Sequence, residues 1–229
     1  VRVKVDVGAD VGSLPWEDVH GPARAVVYGL LSSENPVLAK SLHDEGWNGQ
    51  PLKPVGGTSP MFRGAPRRKG VYTTSKDGSV WFGSPVPEIA AVLVTALASC
   101  QTITWGSARL RVQGFSLDVV PNASDGPVQL ESVTPTVVKH ENRYVLPGEP
   151  HYLDRLTHNL HHKADILGLP RPEDVHVLDA GPRRRFTVSG APRIGAQVRI
   201  GMEADARFVD ALRSWGLGLD TVQGFGWLR

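Results

Sequence analysis

Val1-Arg2-Val3-Lys4-Val5-Asp6-Val7 alternates apolar and charged side chains without a break. A period of two marks a strand with one buried face, so the chain is expected to begin in a sheet. Residues 109–120 (RLRVQGFSLDVV) alternate in the same way. Between the two lie a helical segment at 21–32 (GPARAVVYGLLS) and a short helix that Asn35-Pro36 opens and Gly46 stops. An Asn cap followed by a first-turn proline is a physical helix start. A strand around Ser59–Phe62, a short strand at Val80-Trp81-Phe82 and an apolar helix from Ile89 to Ala98, opened by Pro87-Glu88, complete this half. The order β-α-β-β-α-β is that of a ferredoxin-like unit.

Residues 121–127 (PNASDGP) concentrate turn formers and read as a linker. Beyond it the plan repeats more loosely. Strand-like residues at 128–139 precede a helix at 150–166, strands at 175–179 and 184–189 flank Gly181-Pro182, and 196–202 is another strand. Residues 203–215 form an amphipathic helix with Phe208, Val209, Leu212 and Trp215 at core spacing. The expected fold is α+β, two tandem units at 1–121 and 122–229, related in architecture and not by residue-level repeat.

A chain of 229 residues holds one large domain or two small ones. Its 41% hydrophobic and 21% charged residues exclude wholesale disorder. One cysteine excludes an internal disulfide framework and suits a reducing, cytoplasmic setting. No apolar run approaches a membrane span, no signal peptide is expected before Val1, and a Val at position 1 reads as a trimmed or processed terminus.

The formal charge of +2 argues at first against nucleic acid, but its distribution does not. Residues 53–76 carry Lys53, Arg63, Arg67, Arg68, Lys69 and Lys76 with no acid, and 183–229 nets +4, opening on Arg183-Arg184-Arg185. The blocks 1–52, 77–139 and 140–182 net −3, −2 and −3. Screening confines each charge to about 10 Å, so local patches decide phosphate binding. Both basic runs also fit solvated loops.

Gly216, Gly218, Gly224 and Gly226 punctuate the C-terminus. Such a segment lets backbone amides approach a ligand, or simply turns the chain tightly so that a last strand rejoins its sheet. Lacking Gly-Lys-Ser/Thr and following a helix, it is neither a P-loop nor a dinucleotide fingerprint. His151, His158, His161 and His162 share one predicted helix, yet no third or fourth ligand is placed by spacing, so no metal and no cofactor is expected. His43 ends a short helix just before the acid-free run, where an imidazole suits proton transfer at a phosphodiester, although a lone histidine is more often structural.

Three segments together resemble the Cas-six family of CRISPR-associated repeat-RNA endoribonucleases, of the RAMP superfamily. They are Tyr28-Gly-Leu-Leu-Ser-Ser-Glu-Asn-Pro-Val-Leu-Ala-Lys-Ser-Leu-His43, Trp81-Phe-Gly-Ser-Pro-Val-Pro-Glu-Ile-Ala90, and the Gly216–Gly226 loop. The resemblance implies two ferredoxin-like (RRM-like) domains, in agreement with the order above. It also implies a site at Tyr28, His43 and Lys53 and metal-independent cleavage. In that chemistry the ribose 2′-OH attacks phosphorus and leaves 2′,3′-cyclic phosphate and 5′-OH ends. His43 would act as general base or acid, Lys53 would stabilise charge on the non-bridging oxygens, and Tyr28 would position or donate to the phosphate. The family loop often carries Lys or Arg midway, where this chain has Asp220.

The expected partner is therefore CRISPR repeat RNA, precursor and product. It would be held by Arg63, Arg67, Arg68, Lys69, Arg183, Arg184, Arg185, Arg193 and Arg199 and by the four loop glycines. Effector-complex subunits or a second copy of the chain are further partners to consider, and no membrane partner is expected. The alternatives are a non-catalytic crRNA scaffold, which has no need of the Tyr28/His43/Lys53 set, and a generic RRM-like module, disfavoured because its strand motif is missing.

Overall fold

The computed structural model describes residues 1–66 and 68–229. The opening alternation forms β1 (Arg2–Ala9), followed by α1 (Ala23–Glu34), α2 (Pro36–Asp44), β2 (Gly56–Gly57), β3 (Gly78–Gly83), α3 (Pro87–Ser99), β4 (Thr102–Trp105) and β5 (Ala108–Leu117). The sheet order is β2-β3-β1-β5-β4. Every pairing is antiparallel, with Val5 opposite both Val80 and Phe115. The strands β2-β3-β1-β5 thus take the ferredoxin order, with β4 added at the edge beside β5. Val3, Val5 and Val7 point from β1 into a core shared with Phe82, Val27, Leu31, Leu93 and Leu97, each fully buried side chain contributing about 1.5–3 kcal/mol. The Asn35 side chain accepts from Leu38 N and starts α2, as its position before Pro36 predicts.

Residues 118–125 lead to the second unit, built around a three-stranded sheet. It comprises β6 (Gly126–Glu131), α4 (Tyr152–Leu167), β7 (Glu173–Ala180), the hairpin β8 (Arg184–Val188) and β9 (Ala191–Gly195), β10 (Val198–Ala204) and α5 (Ala206–Trp215). Its order is β7-β10-β6, and Leu228 bridges Ser132 just past β6. The last residues thus occupy the fourth ferredoxin position, and the β8–β9 hairpin is an insertion. The final helix starts at Ala206 and not at 203, because Glu203 and Ala204 still pair with β6 and the Asp205 carboxylate caps the helix by accepting from Arg207 N. Residues 128–139 are not one strand: β6 ends at Glu131, and a separate ladder joins Val138–His140 to Arg143–Val145.

The two sheets meet along β1 and the C-terminus. Arg2, on the polar face of the β1 alternation, is nonetheless buried. Its guanidinium bonds Asp118 Oδ2 at 2.9 Å and donates to the Arg213 and Leu228 carbonyls at 3.1 Å, over the Trp227 ring. His20 makes the second joint. Its ring stacks on Phe225 at 4.3 Å, meets Phe186 edge-on and hydrogen bonds Gln223 O at 3.0 Å through Nδ1.

Candidate functional site

α1 carries Arg24 and Tyr28 one turn apart, so both face α2. The last turn of α2 carries His43, and the segment after it returns Lys53. The Tyr28 and His43 rings meet edge-on with centroids 5.1 Å apart, and the Lys53 ammonium lies 5.8 Å from the Tyr28 centroid. Lys53 Nζ also donates to the His43 carbonyl at 2.6 Å. The three residues named from sequence converge at one place.

His43 is exposed, and its neighbours define its tautomer. Arg24 Nη2 lies 3.1 Å from His43 Nε2. A guanidinium can only donate, so Nε2 must present its lone pair. The proton then sits on Nδ1, which donates to Asp44 Oδ1 at 2.8 Å. The Asp44 carboxylate is held down at about 2, first by its bond from Lys40 and then by His43. An imidazole oriented by a carboxylate on one nitrogen, with the lone pair of the other held by Arg24, has the form of a general base once that donor is displaced.

Burial pushes the Tyr28 phenol up to about 12, against a smaller opposing effect of Arg24, so it stays protonated. Its hydroxyl is buried without a hydrogen-bond partner among the described residues, whereas its ring touches His43, Lys53 and Arg24. Burial, then Arg24, lowers the Lys53 pKa below that of an ordinary lysine.

Beside this cluster, between the two units, lies a cavity of about 270 Å³ lined by Arg24, Lys53, Lys139, Lys163 and the 218–223 segment. Four basic side chains line it, and the acid on its wall, Asp220, is paired with Arg193 at 2.8 Å. Lys163 is fully buried, donates to Gly216 O at 2.5 Å and lies over Trp215, and burial brings its pKa down to about 7. Arg24, Asp44, Lys139 and Lys163 went unnoticed in the sequence. The first two carried a signal, one turn before Tyr28 and next to His43, but the lysines come from the other unit and carried none.

The remaining residues expected at RNA are distributed differently. Arg68, Lys69, Arg183, Arg184 and Arg185 are exposed, and Arg67 lies outside the described residues. Arg63 is held by both oxygens of Asp77, the first residue after the acid-free run. Arg193 is occupied by Asp220, which gives the acid within the glycine-rich segment a partner. Arg199 projects from β10 directly opposite Glu131 and Asp179.

The four loop glycines are buried and all have positive φ. At Gly226 a Cβ would lie 1.9 Å from Leu217 O, and at Gly218 one would lie 2.5 Å from Val137 O. The amides of Gly216, Gly224 and Gly226 bond Leu212 O, Thr221 O and Pro135 O. These glycines turn the chain back against its own backbone, and three of their amides are taken up by backbone carbonyls. Among the described residues no three His, Cys, Asp or Glu gather at metal-binding spacing.

No family model and no curated protein matches the sequence. Solved structures do. A protein from a Cas6-related gene of Pyrococcus furiosus superposes with a TM-score of 0.81 at 17% identity, over 100% of this chain and 97% of that one. The chain has the two-domain ferredoxin-like fold of Cas6. A RAMP protein described as binding different RNA substrates matches equally, at 0.81 and 18%, over 100% and 98%. A Cas6 product complex matches at 0.64 and 17%, over 100% and 99%.

Proposed function

We propose that this protein is a Cas6-family endoribonuclease that cleaves CRISPR precursor RNA within the repeat, without metal. The observation that carries the reading is the convergence of Tyr28, His43 and Lys53 from three segments, with the His43 tautomer set for proton abstraction, at the mouth of a cationic cavity. The Cas6 fold and the RNA binding described for a RAMP neighbour support it.

In the proposed reaction His43 Nε2 removes the proton of the 2′-OH. The O2′ forms a bond to the adjacent phosphorus as the P–O5′ bond breaks. Arg24 moves from Nε2 to the scissile phosphate, where with Lys53 it stabilises charge on the non-bridging oxygens. Lys53, whose lowered pKa makes it a readier acid, protonates the leaving O5′, and the imidazolium proton returns through solvent. The ends are a 2′,3′-cyclic phosphate and a 5′-OH. The Tyr28 ring holds His43 and the two cations in register.

The test is incubation of a labelled CRISPR repeat RNA with the protein in EDTA. A single cut with a cyclic-phosphate end is expected, lost in His43→Ala while repeat binding persists. A metal requirement, or equal cleavage by His43→Ala, would refute this mechanism.

A further inference from the structure

We infer that Trp16 and Arg185 form a stacking site for one unpaired nucleobase of RNA, in a cavity lined by none of Tyr28, His43 and Lys53; this rests on the RNA-binding reading above. Trp16 alone of the six tryptophans is exposed, at 49% of its surface. It forms a wall of a cavity of about 740 Å³ together with Ser13, Gly70, Arg185, Phe186 and Thr187, a size within the roughly 300–1,000 Å³ of small-ligand sites.

The indole is braced. Its ring meets Tyr72 edge-on at 5.7 Å, and the Tyr72 hydroxyl is tied to Pro60 O at 2.7 Å. The opposite wall is equally firm, because Phe186 packs on His20 and Phe225. Strand alternation keeps Arg185 and Thr187 on one side of β8, facing the cavity.

The occupant follows from the chemistry of the walls. An indole and a guanidinium facing one cavity suit a flat, polarisable ring, which stacks on the first and makes a cation–π contact with the second. Charge points the same way. Arg68 and Lys69 are exposed immediately before Gly70 of the wall, Arg184 is exposed beside Arg185, and one acid, Glu17, lines the cavity. A base brings with it a backbone phosphate that these cations would hold.

The site is tested with the full chain carrying His43→Ala, so that a single-stranded repeat RNA stays intact. Stacking is worth about 1–3 kcal/mol per base, so Trp16→Ala is expected to weaken RNA binding about 10-fold. Trp16→Phe, which keeps an aromatic ring, is expected to retain most of the affinity. RNA is also expected to quench the fluorescence of the protein with Trp16 present and to quench it much less in Trp16→Phe. That readout does not depend on the alanine variant folding. Equal affinity of all three proteins with no Trp16-dependent quenching would overturn the stacking site and leave the nuclease reading standing. Failure of the Trp16-containing protein to bind repeat RNA at all would overturn both.

Discussion

Replacing His20 with Phe tests how the two units are joined. The imidazole is 3% exposed, and burial lowers its pKa from 6.5 to about 4, against a smaller raising effect of its bond to Gln223 O. Because Gln223 O can only accept, the neutral ring carries its proton on Nδ1. The unfolded chain binds a proton as pH falls below 6.5, whereas the folded chain does so only near 4. Stability is therefore lost between these values, by about 3 kcal/mol at pH 4 at roughly 1.36 kcal/mol per unit. His20→Phe keeps the stack but leaves the Gln223 carbonyl without its donor, at a cost of about 1–3 kcal/mol. In denaturant unfolding at pH 7.5 the variant is expected to be the less stable protein. At pH 4 the gap is expected to close or reverse, because the variant has no imidazole to charge. Other acids titrate alike in both proteins, so the difference between the two curves isolates His20. Parallel loss of stability in the two proteins from pH 7.5 to 4 would refute the argument.

Four further outcomes follow from named contacts. Tyr28→Phe should retain cleavage within about 3-fold, whereas Tyr28→Ala should lose it by 10-fold or more, because the ring and not the hydroxyl touches His43, Lys53 and Arg24; single-turnover rates decide this. Asp44→Ala removes the acceptor that orients His43 Nδ1, and should slow cleavage about 10-fold with repeat affinity unchanged in a filter-binding assay. Lys163 is neutral in the folded protein above about pH 7 but still protonated in the unfolded chain up to 10.5. Stability of the natural chain should thus rise by about 2 kcal/mol relative to Lys163→Met between pH 7 and 9, measured by guanidinium unfolding. Gly226→Ala forces a Cβ to within 1.9 Å of Leu217 O at a φ of +67°, and should cost about 3 kcal/mol or more, seen as a large fall in Tm.

Much of the fold was legible because its signals are local. The alternation of Val1–Val7, the Asn35-Pro36 start and the spacing of Phe208, Leu212 and Trp215 each encode an element within a few residues, and each is found. The end of β6 at Glu131 and the late start of the final helix were not legible, because both depend on which strand pairs with which. The pairing of Arg63 hides at a block boundary: the acid-free run ends at Lys76, and Asp77 reaches back to it.

By itself, the sequence determined the order of the main strands and helices in each half and the residue types able to do the chemistry, since periodicity, caps and side-chain identity are properties of neighbouring residues. Tertiary structure alone decided that Arg24 and Asp44 set the His43 tautomer, that Lys139 and Lys163 from the second unit face the same cavity as Lys53, that Arg193 is spent on Asp220, and that the glycine loop packs inward. Those facts depend on how side chains and segments pack in three dimensions, and for Lys139 and Lys163 on how the two sheets dock, and not on any local pattern.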